Sequence, residues 1–217
     1  MTYDNCSTPS CGTESSAAYV PYNRSLVHGI GRNDFPTPIR VNNVWLQSYR
    51  TWSLMLARCY GKRSLTKNPT YTGCTVVEDW HSFTAFEQWF TANYFEGACL
   101  DKDLLYPGNK VYAPNTCVFV DQALNKLLGS CAASRGLLPL GVSKQDGKFR
   151  SQVCENGVQR YLGMFPTALL AHQAWQIAKA YAISDFITDN PRIRKALDRR
   201  VAQLRDDLAN NRITLSL

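Results

Sequence analysis

Residues 100–125 read LDKDLLYPGNKVYAPNTCVFVDQALN, and how this stretch folds settles the architecture of the first half of the chain. Its apolar runs and turn formers predict a strand over ACLDKDLL (98–105), a turn within YPGNK (106–110), a second strand over TCVFV (116–120) and a helix from Asp121. Asp101 and Asp103 bracket Lys102 at the end of the first strand. Asp121 and Asn125 stand four apart and so share one helix face. If that helix packs back on the hairpin, an oxygen from the strand meets one from the helix. Two or three such oxygens with water suit Mg²⁺ or Mn²⁺, ions that keep much of their hydration shell. The plainer alternative is that the aspartates face solvent and Lys102 pairs with one of them at little gain.

Upstream, Trp45, Tyr49, Trp52, Leu56 and Cys59 recur at spacings of four, three, four and three, which predicts an amphipathic helix from Val44 that Gly61 ends. A loop runs on to Cys74 and TVV (75–77) is a candidate short strand. After Trp80 a second helix, capped by Ser82, is expected to bury Phe83, Phe86, Phe90 and Tyr94. Residues 1–26 read as an irregular arm and 27–38 as loop.

Downstream, a Ser/Ala/Gly-rich run places a linker at 131–139, and a second module spans 140–184. GVSK, KFRSQVC and VQRYLG are short β-type runs separated by Asp146-Gly147 and Asn156-Gly157, which predicts three antiparallel strands. A helix from Thr167 is expected to bury Leu170, Ala174, Ile177 and Tyr181. In the middle strand Phe149, Ser151 and Val153 point toward that helix, while Lys148, Arg150 and Gln152 point away. Gln159 and Tyr161 extend the polar face. Such a sheet can enter a DNA major groove, where Arg reads guanine and Gln reads adenine; Lys144 and Arg160 are candidate phosphate contacts. A merely solvated sheet face is the competing interpretation. The tail, 185–217, carries an apolar stripe of Ile193, Leu197, Val201, Leu204 and Leu208 with six Arg/Lys on the other faces. It reads as a helix packed on its own domain or as a homodimer seam.

The 217 residues are 45% hydrophobic and 19% charged, which excludes wholesale disorder and rod-like repeats. No apolar stretch is long enough to cross a bilayer and the first residues lack a secretory pattern, so no membrane association and a cytosolic location are expected. The net charge is +7, and residues 131–217 hold 13 basic and 7 acidic side chains, a bias that a polyphosphate partner selects. The eight cysteines contain no C-x-x-C pair. They are expected to remain buried thiols; a zinc site is not expected, Cys59, Cys74 and Cys117 being the three that could converge.

The segment 27–130 resembles the degenerate phage HNH endonucleases, whose ββα-metal hairpin reads much like L-D-K-D…G-N…P-N-T-C-x-F-V followed by an Asn on the helix. Trp52 to Tyr60 (W-x-x-M-x-x-R-C-Y), Pro69-Thr70-Tyr71 and the Trp80/Phe83/Phe86 run look like the same family. The resemblance implies Asp101 and Asn125 as metal ligands, Asn115 as the orienting middle Asn, and the general-base position at Lys102 or Asp103, where no histidine stands. His28, His81 and His172 all lie outside the hairpin. Residues 140–175 resemble the Apetala-two DNA-binding domain through Gly141-Val142, Leu162-Gly163, Phe165 and the helix with Ala171, Ala174 and Trp175. An α+β chain is therefore expected: an HNH-like nuclease module, a three-stranded sheet with one packing helix, and a C-terminal helix. The implied function is metal-dependent cleavage of duplex DNA in an infected bacterial cell. The alternatives are an inactive, HNH-derived DNA-binding or interference protein and an aromatic-rich protein-interaction module.

Overall fold

Buried Trp52, Met55, Leu56 and Cys59 share one side of helix α1 (Gln47–Tyr60), as the apolar spacing requires. In the computed structural model the described residues are 25–129, 137–155 and 157–216; residues 1–24 of the arm expected over 1–26, most of the linker, and Asn156 of the second turn lie outside them. Gly61 does end α1, its N–H donating to Ala57 O at 2.9 Å. Trp45 precedes the helix in a tight hairpin of β1 (Arg40–Val41) and β2 (Val44–Trp45), and it stacks on Tyr49.

A short helix stands where loop was expected, and the candidate strand over TVV is present. Helix α2 (Lys62–Lys67) buries none of its residues. Strand β3 (Thr75–Val76) pairs in parallel with β5 (Val111–Tyr112), a pairing across sequence that local pattern does not reveal. Helix α3 (Phe83–Asn93) is capped by Ser82, whose hydroxyl accepts from Ala85 N at 3.2 Å, and it buries Phe83, Phe86 and Phe90. The Trp52 indole N–H donates to Trp80 O at 2.7 Å, which satisfies the one polar atom that this ring carries into the core.

The strand expected over 98–105 is much shorter. Strand β4 (Cys99–Asp101) pairs antiparallel with β6 (Val118–Val120) and stops at Asp101. There the carboxylate Oδ1 accepts from the amides of Asp103 (2.9 Å) and Leu104 (2.6 Å), an Asx-type turn that pulls the backbone out of the ladder. Helix α4 (Gln122–Leu128) follows β6 directly, with Asp121 as N-cap.

Strands β7 (Val142–Gln145), β8 (Lys148–Glu155) and β9 (Val158–Phe165) form the expected three-stranded antiparallel sheet. A bulge at Ser151/Gln152 shifts the register, so Gln152 faces Tyr161 and not Leu162. Gly141, at φ +74°, leads into β7 against the Trp175 ring, where an added Cβ would come within 2.0 Å of Cδ1.

Helix α5 (Ala168–Ser184) buries a different face from the expected one of Leu170, Ala174, Ile177 and Tyr181. Leu170, Ile177 and Tyr181 are 43%, 46% and 64% exposed, whereas Ala171, Trp175, Ala178, Ala180 and Ile183 are buried. The helix lies between the sheet and α6 (Pro191–Ala209), and small residues allow close approach on both sides. His172 is buried here too, its ring bonded to Leu140 O (2.8 Å) and accepting from Thr214 N (2.9 Å).

The molecule is a mixed α+β protein of several small sheets and six helices among the described residues. Two cores meet at β6. Phe119 joins the aromatic core of Trp52, Trp80, Phe83 and Phe86. Val118 and Val120, on the opposite face of the strand, join Leu104, Leu105, Leu124, Leu127, Trp175, Ile193, Leu197 and Leu204. The α6 stripe of Ile193, Leu197, Val201 and Leu204 is thus buried within the chain. Among the described residues no helix is long and apolar enough to cross a membrane.

Candidate functional site

A cleft of about 460 Å³ opens between α1, the Thr70-Tyr71 turn, the end of β4, the 108–110 turn and α4. Asp101, Lys102, Asp103 and Asn125 all line it, so the cleft brings together four of the five residues singled out in the hairpin. The fifth, Asn115, is exposed on the turn before β6 and does not line the cleft; its carbonyl accepts from Arg192 of α6. Asp121 is engaged in capping α4, its Oδ1 accepting from Leu124 N at 2.6 Å. Asn125, one turn later, is left exposed to the cleft.

The carboxyl of Asp101 sits above the usual range. Burial is the main cause; the Leu104 amide opposes the shift and the neighbouring charge of Asp103 adds to it. Lys102 is only 7% exposed. Its Nζ donates to Asp103 Oδ2 at 2.8 Å and to Asn109 O at 3.1 Å, and lies 5.9 Å from the Tyr71 ring centre. Burial disfavours the ammonium, but the bond to Asp103 and its charge outweigh that, and the net shift is upward. Lys102 therefore stays protonated and cannot take a proton as base. None of His28, His81 and His172 lines the cleft. His81 is bonded to Val76 O, His172 is held between Leu140 and Thr214, and His28 lies exposed in a turn.

Several cleft residues escaped sequence reasoning. The Asn109 amide donates to Lys102 O and Val111 O, both at 2.7 Å, and so ties the end of the strand to the turn. Arg58 lies 5.4 Å from the Tyr71 ring centre. Burial opposes its charge, yet the Tyr71 and Tyr112 hydroxyls favour it and the net shift is upward. Lys110 Nζ donates to Thr70 O at 2.7 Å. The signal for Arg58 was its place on the polar side of α1, beside Cys59 of the buried stripe.

A further support comes from far along the chain. Arg200, 4% exposed, donates to Leu104 O at 2.8 Å and to Asp103 O at 3.4 Å, and Arg199 donates to Leu105 O. Burial lowers the Arg200 guanidinium and the charge of Asp101 partly restores it. Its position, three after Leu197 and four before Leu204, places a cation on the apolar stripe itself, a sequence signal for a buried carbonyl-binding arginine.

Whether the donors suit a divalent ion follows from the oxygens. Asp101 Oδ1 is taken by two amides, which leaves Oδ2, the amide oxygen of Asn125 and Asp103 Oδ1. No cluster of three or more His, Cys, Asp or Glu among the described residues forms a ready-made metal site. A few hard oxygens completed by water match Mg²⁺ or Mn²⁺ and not a dedicated protein cage. The half-buried Asp101 carboxylate, shifted upward, is a group that a cation would stabilise. Cys59 and Cys117 are buried thiols pushed up to about 12, chiefly by burial.

The sheet sorts the seven candidate DNA contacts by face. Directly paired residues share a face, so Lys148, Arg150, Gln152, Tyr161 and Gln159 form one surface, opposite the buried Val153. Arg150 stands 5.4 Å from the Tyr161 ring centre. Lys144 pairs with Phe149 and Arg160 with Val153, which places both on the helix side of the sheet. Arg160 is held there by Glu155 through bonds of 2.8 and 3.0 Å. Compared with known proteins, the chain matches no family model, no curated sequence and no solved structure.

Proposed function

We propose that the chain is a divalent-metal-dependent endonuclease of duplex DNA, built on an HNH-like strand–strand–helix module and aimed by its C-terminal sheet. The observation that carries this reading is the convergence of Asp101 from β4 and Asn125 from α4 on one cleft that also holds Asp103 and is walled by Arg58 and Lys110. Asp101 and Asn125 would hold the ion, which supplies positive charge to a phosphodiester. Arg58 and Lys110 add fixed positive charge for the phosphate. Asp103 is exposed and bonded to Lys102 through Oδ2, and its carboxylate would orient a water. Lys148, Arg150, Gln152, Gln159 and Tyr161 offer the base-reading face.

The test is a time course on supercoiled plasmid with Mg²⁺, Mn²⁺ or EDTA. Asp101→Ala and Asn125→Ala are each expected to lower metal-dependent nicking by about 100-fold or more. Unchanged nicking in both variants overturns the assignment. A second function, DNA binding without hydrolysis, is favoured by one observation: the cleft offers no imidazole, and its would-be base position holds a protonated Lys102. Intact DNA with a salt-sensitive mobility shift is its signature.

A further inference from the structure

Between Asp34 and Glu78 the chain holds no acidic residue and six basic ones: Arg40, Arg50, Arg58, Lys62, Arg63 and Lys67. Averaged over the first 130 residues this bias disappears, because the acids there lie on either side of the segment. Among the described residues none of the six makes an ion pair. Five of them are exposed, and Arg58 lines the cleft.

Their placement is ordered. Gln47, Thr51, Leu54 and Arg58 form the cleft side of α1, and Arg50 lies on that side, three after Gln47 and four before Leu54. Helix α2 carries Lys62, Arg63 and Lys67 and is flanked in the chain by Arg58 and Thr70, both of which line the cleft. It contributes nothing to either core, so its cations are not the by-product of a helix kept for packing. At the other end the β1–β2 hairpin turns on Asn42 and Asn43, both with positive φ as a two-residue type I′ turn requires. There the Arg40 guanidinium stands 5.4 Å from the ring centre of Trp45, itself 43% exposed, and Val41 and Val44 are exposed beside it.

We infer that the hairpin, α1 and α2 form a second nucleic-acid surface, a track for the sugar-phosphate backbone of duplex DNA that leads into the cleft and is separate from the C-terminal sheet. This rests on the cleft being the reaction site and adds how its substrate is held there. An acid-free row of exposed cations matches a regularly spaced line of phosphates. The Arg40–Trp45 tip offers a cation and a partly exposed aromatic ring, suited to a groove edge at the end of the track. Sequence choice stays with the C-terminal sheet, so the track contributes affinity that is independent of base sequence.

The test uses the full chain in EDTA, where cleavage is silent, with a labelled duplex of random sequence and a range of salt. Lys62→Ala/Arg63→Ala/Lys67→Ala is expected to lower the slope of log affinity against log salt by about 2–3, since each phosphate contact contributes about 0.9. Arg40→Ala is expected to lower it by about 1. Lys62→Arg/Lys67→Arg is expected to keep the wild-type slope. Because α2 buries no residue, unfolding curves serve as the control that the fold is intact. An unchanged slope in the triple variant, with the wild type binding, overturns the track and leaves the cleavage assignment standing. A wild type that binds no DNA at any salt overturns both. A triple variant that loses affinity for an A-form RNA duplex while its DNA affinity is untouched replaces the inferred partner and overturns the DNA track.

Discussion

Asp101 shows how far a single side chain couples stability to chemistry. Its carboxylate ends a strand by accepting two amide hydrogen bonds, and it does so largely out of water and beside Asp103. A carboxyl raised in the folded state binds its proton more tightly there than in the unfolded chain. Its contribution to stability is therefore fully present at low pH and is lost as pH rises through the raised folded value. Asp101→Asn keeps an oxygen for the amides of Asp103 and Leu104 and removes the half-buried charge. In metal-free buffer at neutral pH this variant is expected to melt higher than the wild type and to show a flatter pH dependence, measured by calorimetry across pH. Added Mg²⁺ is expected to raise the wild-type midpoint more than that of the variant. A variant that melts lower than the wild type at neutral pH contradicts the assigned cost. At this scale the sequence singled out Asp101, Lys102, Asp103 and Asn125, and the fold places all four along one cleft. It did not separate Asn115, which an adjacent turn leaves at the surface, because three residues of irregular backbone decide which way a side chain points.

At the scale of elements, strand alternation and helix spacing identified most pieces, but the buried face of a helix depends on what covers it. Helix α5 shows this most clearly. Leu170, Ile177 and Tyr181 lie outward, while Trp175, Ile183 and the alanines between them face the sheet and α6. Leu197 of α6 is fully buried, and Leu197→Ala is expected to cost about 2–5 kcal/mol. Leu170→Ala, on the exposed side of α5, is expected to stay within about 0.5 kcal/mol of the wild type. Urea unfolding of the two variants decides between the faces; equal losses would contradict the packing. The bulge at Ser151/Gln152 has a similar lesson, since it places Tyr161 opposite Gln152 on the outer surface while Leu162 packs toward the core.

At the scale of the molecule the two halves, read as separate modules in the sequence, share one hydrophobic core. Leu104, Leu105, Leu124 and Leu127 from the first half pack with Trp175, Ile193, Leu197 and Leu204 from the second. Arg199 and Arg200 bind the carbonyls of residues 103–105, directly beneath the candidate site. A fragment of residues 27–130 exposes that apolar surface and loses those donors. It is expected to give no cooperative unfolding transition and no metal-dependent nicking, whereas the full chain unfolds as a unit. A fragment that folds cooperatively and cleaves DNA would show that the C-terminal helix is dispensable to the site.

Taken alone, the sequence determined the α+β class, the three-stranded sheet with its packing helix, the capping of α3 by Ser82, and helices beginning at Asp121 and Thr167. These follow from local rules: periodicity, turn formers, and side chains that bond to nearby amides. Only the tertiary structure decided that β3 and β5 pair in parallel, that α5 hides its small residues, that Arg160 faces Glu155, and that α6 supports the aspartate loop from beneath. Each of these joins residues distant in sequence or chooses between two faces of one element. That choice is made by the volume and hydrogen-bonding groups of the neighbour, which no local pattern contains.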